Sequence, residues 1–229
     1  MRVSLALAVL VGLAAAGSVP RPALAWQLVH AGESLRVEQR EYPGSPLLEV
    51  RGVLRLRTTL NAVMALLRDA DFNDHWVYRS GGARILLQEG YARAYVYGVV
   101  DAPWPMQDRD TVVRFDYQQD PVTRVVLITI SNAPDYLPAV DGLVRVPEFG
   151  GFWQLEPEAA GWVRVTYQVR GHPGGMIPVW LANRAAARSV QQTLRNMPGA
   201  VRRYAGARSP HVLEALADPA VKRRPIDQP

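Results

Sequence analysis

The sequence predicts an α+β fold built on one large antiparallel sheet. Three observations carry that reading. Alternation of apolar and polar residues, the mark of half-buried strands, fills most of the chain. Helical spacing appears in only two regions, one following residue 58 and one following residue 177. The strand patterns between them are consecutive, with no helix to cross over, which argues against a parallel doubly wound sheet.

Trp26 to Tyr42 reads as a strand pair around Ala31-Gly32-Glu33, and Leu47 to Arg57 as a strand. In the latter, Leu48, Val50, Leu54 and Leu56 face one way and Glu49, Arg51, Arg55 and Arg57 the other, so one face is wet. Thr58 or Thr59 caps a helix whose apolar side is Leu60, Val63, Met64, Leu66 and Leu67. Asp71 to Val77 is expected as a short second helix with Phe72 and Trp76 on one face. Ser80-Gly81-Gly82 is expected as a turn, followed by strands at Ala83–Glu89 and Tyr91–Val100. Pro103-Trp104-Pro105 interrupts the sheet. Strands at Asp110–Gln118, Arg124–Asn132, Val144–Glu156 and Trp162–Arg170 complete it.

Pro173-Gly174-Gly175-Met176-Ile177-Pro178 then forms a sharp corner from sheet to helix. The glycines permit backbone angles closed to other residues, and Pro178 suits a helix start. Val190, Leu194, Met197, Val201 and Tyr204 make one apolar stripe on the helix that follows. Pro198-Gly199 is expected to kink or end it. In a one-sheet protein this corner lays the last helix across the sheet, and such an arrangement leaves room for a hollow between them.

The first 25 residues read as a cleavable leader. One positive charge at Arg2 precedes an apolar run, Leu5 to Ala16, that is shorter than the ~20 residues a spanning helix needs. Ala23-Leu24-Ala25 fits a signal peptidase site, so the mature chain is expected to start at Trp26 and to work in the periplasm or outside the cell. The domain is expected over residues 26–205, with a weakly ordered basic tail at 206–229.

There is no cysteine, which excludes disulfides, thiolate metal sites, cysteine nucleophiles and lipidation of an exported cysteine. The net charge is +5, and Lys222 is the only lysine. Arginines spaced singly along strands suit a solvated sheet face rather than a nucleic-acid groove. The four histidines, His30, His75, His172 and His211, have no metal-ligand spacing. No G-x-S-x-G elbow or phosphate-binding glycine loop is present. No catalytic constellation emerges. Tyr91, Tyr95 and Tyr97 share one face of a strand and Ala92, Ala94, Val96 and Gly98 the other, and either face could wall a cavity. On the next strand Thr111, Val113, Phe115 and Tyr117 form the inward set.

Four segments, in order, resemble START domains, the lipid transfer domains related to steroidogenic acute regulatory protein. They are Pro103-Trp104-Pro105 with Arg109-Asp110; Gly142 to Val146; Gly151-Phe152-Trp153 to Pro157 with Gly161 and Val163 to Tyr167; and Pro173-Gly174-Gly175 with Ile177 to Asn183. The chain departs from the usual pattern at His172, where an acid is common, and at Thr111, where an aromatic is common. The resemblance implies a helix-grip fold: a curved antiparallel sheet wrapped around a long C-terminal helix, with an internal hydrophobic tunnel. It implies a single bound lipid, sterol or other apolar small molecule, transient contact with a membrane surface, a monomer, no nucleic acid and no cofactor. On this reading Tyr95, Arg109, Thr111, Val113, Phe115, Trp153 and Trp180 contact the ligand, no residue is catalytic, and none binds metal. The loop Pro134–Leu143 and the last helix are the expected gate. The rival reading is a helix-grip enzyme, cyclase-like or hydrolase-like, with Arg109 or Tyr95 as its polar catalyst. Export argues against a cyclase, which needs cytosolic carrier-bound substrates. A sensor or assembly module is the third reading.

Overall fold

A computed structural model describes residues 25–212. Residues 1–24 of the expected leader and 213–229 of the expected tail lie outside them. The elements run β1 (Gln27–Ala31), β2 (Leu35–Tyr42), β3 (Ser45–Arg57), α1 (Leu60–Arg68), β4 (Ser80–Glu89), β5 (Arg93–Val100), β6 (Arg109–Gln119), β7 (Val126–Asn132), β8 (Val144–Arg145), β9 (Glu148–Glu158), β10 (Trp162–His172) and α2 (Val179–Ala200). They form one curved sheet in the order β1-β2-β3-β10-β9-β7-β6-β5-β4, antiparallel throughout except for β8, which pairs parallel with β6. Both helices lie on its concave face, and the helix-grip architecture is thereby seen directly.

Thr59 caps α1, its hydroxyl accepting from the Ala62 N–H at 3.1 Å. Leu60, Val63, Met64 and Leu66 are buried as their spacing predicts. Four local expectations are revised. Residues Ala70–His75 form a 3-10 turn rather than an α-helix. With three residues per turn, Phe72 meets His75 in a ring stack at 4.6 Å instead of sharing a face with Trp76. Ser80-Gly81-Gly82 opens β4 through a bulge rather than preceding it. The expected strand Val144–Glu156 is cut at Pro147, which has no N–H for a ladder. Helix α2 runs through Pro198 to Ala200, because Leu194, Met197 and Val201 on either side of the proline are buried and hold the last turn in place.

The C-terminal helix seals onto β2 and β3 more closely than expected. Gly52 is the reason. A side-chain carbon there would lie 2.3 Å from Leu194 Cδ1 and 2.8 Å from Val190 Cγ1, so the bare backbone lets the helix descend. The far end of α2 is tied to α1 by the Tyr204 hydroxyl, which donates to Asp69 Oδ2 at 2.7 Å.

Candidate functional site

A void lies beside α2, between the sheet and the cap formed by α1 and the 3-10 turn. It has two lobes. The outer lobe, about 160 Å³, is floored by β4, β5 and β6. The inner lobe, about 130 Å³, reaches β7, β9 and β10, and only Thr193 of α2 borders it. Leu67, Asn73, Val77, Phe115, Tyr117 and Phe149 border both, so the lobes adjoin. Together they approach the lower end of small-molecule sites, about 300 Å³.

The strand alternation explains the floor. On β5 the small set faces inward: Ala94, Val96 and Gly98 line the outer lobe. Their small volume leaves the space. On β6, Thr111, Val113, Phe115 and Tyr117 line it, the set that alternation selects. Phe115, Tyr117, Phe149 and Tyr167 pack against the core yet keep accessible surface, as side chains facing an internal hollow do. Ile85 and Val100 are exposed at the outer lobe, so the hollow meets solvent near β4, the last strand of the sheet.

The structure brings Thr111, Val113, Phe115 and Trp153 to the wall of the hollow. Tyr95, Arg109 and Trp180 lie off it. Tyr95 points to the outer face and stacks on Tyr136 at 4.5 Å. Arg109 is buried at the start of β6 beneath the Gly174-Gly175 corner, donates to the Gln107 carbonyl, and has no hydrogen-bond partner for its Nε among the described residues. Trp180 is 66 % exposed on the first turn of α2. The strap Pro134–Leu143 also lies on the outer face. Arg145 pins it there, pairing with the fully buried Asp110 at 2.8 Å and donating to the carbonyls of Pro134, Leu137 and Pro138.

Trp76, Leu67, Phe149 and Tyr167 border the hollow without having been singled out as ligand contacts. For Tyr167 the signal was present: a phenol among valines on the inward face of the most regular strand. Its ring stacks on Trp153 at 3.8 Å. Burial alone pushes its phenol far above the usual range. Burial also pushes the Tyr117 phenol up to about 12, against the opposing influence of Arg68. Both phenols are therefore neutral donors at any physiological pH. The Arg68 guanidinium lies over the rings of Tyr91 and Tyr117 at 4.0 and 4.4 Å and donates to the Tyr91 carbonyl. Among the described residues no cluster of three or more histidines or carboxylates could hold a metal.

No family model matches the chain. A solved structure of a STAR-related lipid transfer protein fragment from Xanthomonas axonopodis superposes with a TM-score of 0.72 at 36 % identity, covering 77 % of this chain and 98 % of that one. The chain belongs to the START family of lipid transfer domains. An uncharacterized protein of Pseudomonas aeruginosa is 33 % identical over 175 residues, 76 % of this chain and 86 % of that protein. Human phosphatidylcholine transfer protein is 26 % identical over 197 residues, 83 % of this START chain and 91 % of its own length.

Proposed function

We propose that this START protein carries one apolar lipid in the hollow and exchanges it at a membrane surface without a covalent step. One observation carries the reading: two adjoining lobes of void with largely apolar walls lie between the concave sheet and the α1 cap. A lipid chain in water costs about 0.8 kcal/mol per CH₂, and a closed apolar hollow removes that cost. The names of its relatives in Xanthomonas and human support lipid as the cargo class. Organic extraction of protein from its native host, with mass spectrometry, is expected to release one apolar species in near-stoichiometric amount. A folded but empty protein that also ignores a lipid panel would remove the carrier reading. In the same measurement, an intact mass beginning at Trp26 would place the carrier outside the cytoplasm; retention of residues 1–25 would argue against export by cleavage.

The membrane contact is assigned to the end of the molecule where β5 meets β6 and the corner enters α2. Trp104, Met176 and Trp180 are all strongly exposed there. Trp180, Arg184, Arg188 and Arg195 form one exposed stripe along α2, and residues 159–212 contain no aspartate or glutamate. An aromatic tip heading an arginine ridge suits an anionic bilayer. Met176→Ser with Trp180→Ser is expected to weaken co-sedimentation with phosphatidylglycerol vesicles at least ~10-fold, from the apolar area withdrawn from the bilayer. Unchanged co-sedimentation would remove this surface from the mechanism.

A further inference from the structure

A single cross-strand row on the concave face runs Tyr117, Ile128, Trp153, Tyr167, Gly52, Val37. Its two phenols border the inner lobe, and neither hydroxyl has a hydrogen-bond partner among the described residues. Trp76 borders the same lobe, is 2 % exposed, and has an indole N–H that is also unpaired. The two phenols, the Asn73 amide and the Thr193 hydroxyl, which accepts from the Tyr78 N–H, are therefore the polar side chains lining an otherwise largely apolar lobe, while the Trp76 N–H is covered by protein. Among the described residues, no charged side chain lines the inner lobe. Arg68 borders only the outer one and is engaged by two rings and a carbonyl. Arg109 borders neither.

Each possible guest end fares differently here. A hydrocarbon end leaves the donors unpaired, which costs free energy when they are buried. A carboxylate or phosphate would be buried without a cation, a far larger cost. A hydroxyl or carbonyl oxygen accepts from the donors and carries no charge to desolvate.

We infer that the inner lobe receives an uncharged, hydrogen-bond-accepting oxygen of the guest, with Tyr167 as the residue that selects it. The favoured cargo is then a lipid whose buried end is a neutral alcohol or carbonyl. This rests on the carrier reading and narrows its cargo from apolar lipids in general to those with such an end.

The test uses three fluorescent probes sharing one chain: a pyrenyl dodecanol, the matching pyrenyl dodecane and the matching pyrenyl dodecanoate, titrated into the full protein at neutral pH. The alcohol is expected to bind about tenfold more tightly than the hydrocarbon, one good neutral hydrogen bond's worth. The carboxylate is expected to bind more weakly than the alcohol. Tyr167→Phe keeps the ring on Trp153, so the fold is retained. It is expected to reduce alcohol affinity about tenfold, to leave hydrocarbon affinity unchanged, and not to lower the melting temperature of the empty protein. Equal affinity for alcohol and hydrocarbon, an undiminished preference in Tyr167→Phe, or a carboxylate that binds as well as the alcohol would each overturn the inference while leaving the carrier reading standing. Failure of all three probes to bind would overturn the carrier reading itself, and this inference with it.

Discussion

Phe115→Asp is expected to lower retention of an apolar guest by at least ~100-fold. Phe115 borders both lobes. In the empty protein, water reaches a carboxylate placed there. Once a lipid fills the hollow, that water is displaced. Among the described residues no cation lines the inner lobe, and the Arg68 cation of the outer lobe is already engaged. Stripping an unpaired carboxylate of solvent costs several kcal/mol, and ~100-fold corresponds to only about 2.7 kcal/mol. Arg57→Asp is the matched control, because Arg57 is exposed on the outer face of β3. Arg51 on the same strand is unsuitable, since it pairs with the buried Glu38 at 2.8 Å. Dissociation of a fluorescent fatty alcohol from the two variants checks the difference. Equal loss in both would mean that Phe115 does not line the binding space.

The largest stability effect is expected from Arg145→Met. Asp110 is fully buried, and Arg145 pairs with it through two nitrogens at 3.0 and 2.8 Å. Removing the cation leaves a buried carboxylate, which costs about 3–5 kcal/mol. The three strap carbonyls lose their donor at the same time. Urea unfolding measures the loss. Adding Asp110→Asn removes the stranded charge, so the double variant is expected to be more stable than Arg145→Met alone. A double variant no better than the single would locate the loss in the strap rather than in the charge. Guest affinity is expected to hold in the folded fraction, because the strap lies on the face opposite the hollow.

Much of the fold was legible because its patterns are local. The valines of β10 and the leucines of β3 announce a half-buried sheet, and Thr59 announces α1. On β6, alternation picked out the wall of the hollow at Thr111, Val113 and Phe115. On β5 the pattern was equally clear but its sense was open. Only the tertiary structure shows that Ala94 and Gly98 face the void, while Tyr95 stacks on a strap 41 positions along the chain. Arg145 falls in one of the segments that carry the family resemblance, but nothing local gives its role, which depends on carbonyls of a loop folded back over it. Gly52 likewise carries no local signal within its strand. Its purpose appears only when Leu194, far along the chain, arrives above it. Trp180 carried a family motif yet sits outside the hollow, because motif position does not encode the direction of a side chain at the head of a helix.

Strand β4 closes one end of the sheet order, with a single hydrogen-bonded neighbour and two bulges against it. The outer lobe meets solvent beside it. Bending this margin outward strains one ladder, whereas parting the wall at β9 or β10 would tear two. On the proposed carrier reading, a guest bulkier than the resting void is accommodated most cheaply by elastic give at the β4 selvage, while the row from Tyr117 to Tyr167 keeps its spacing.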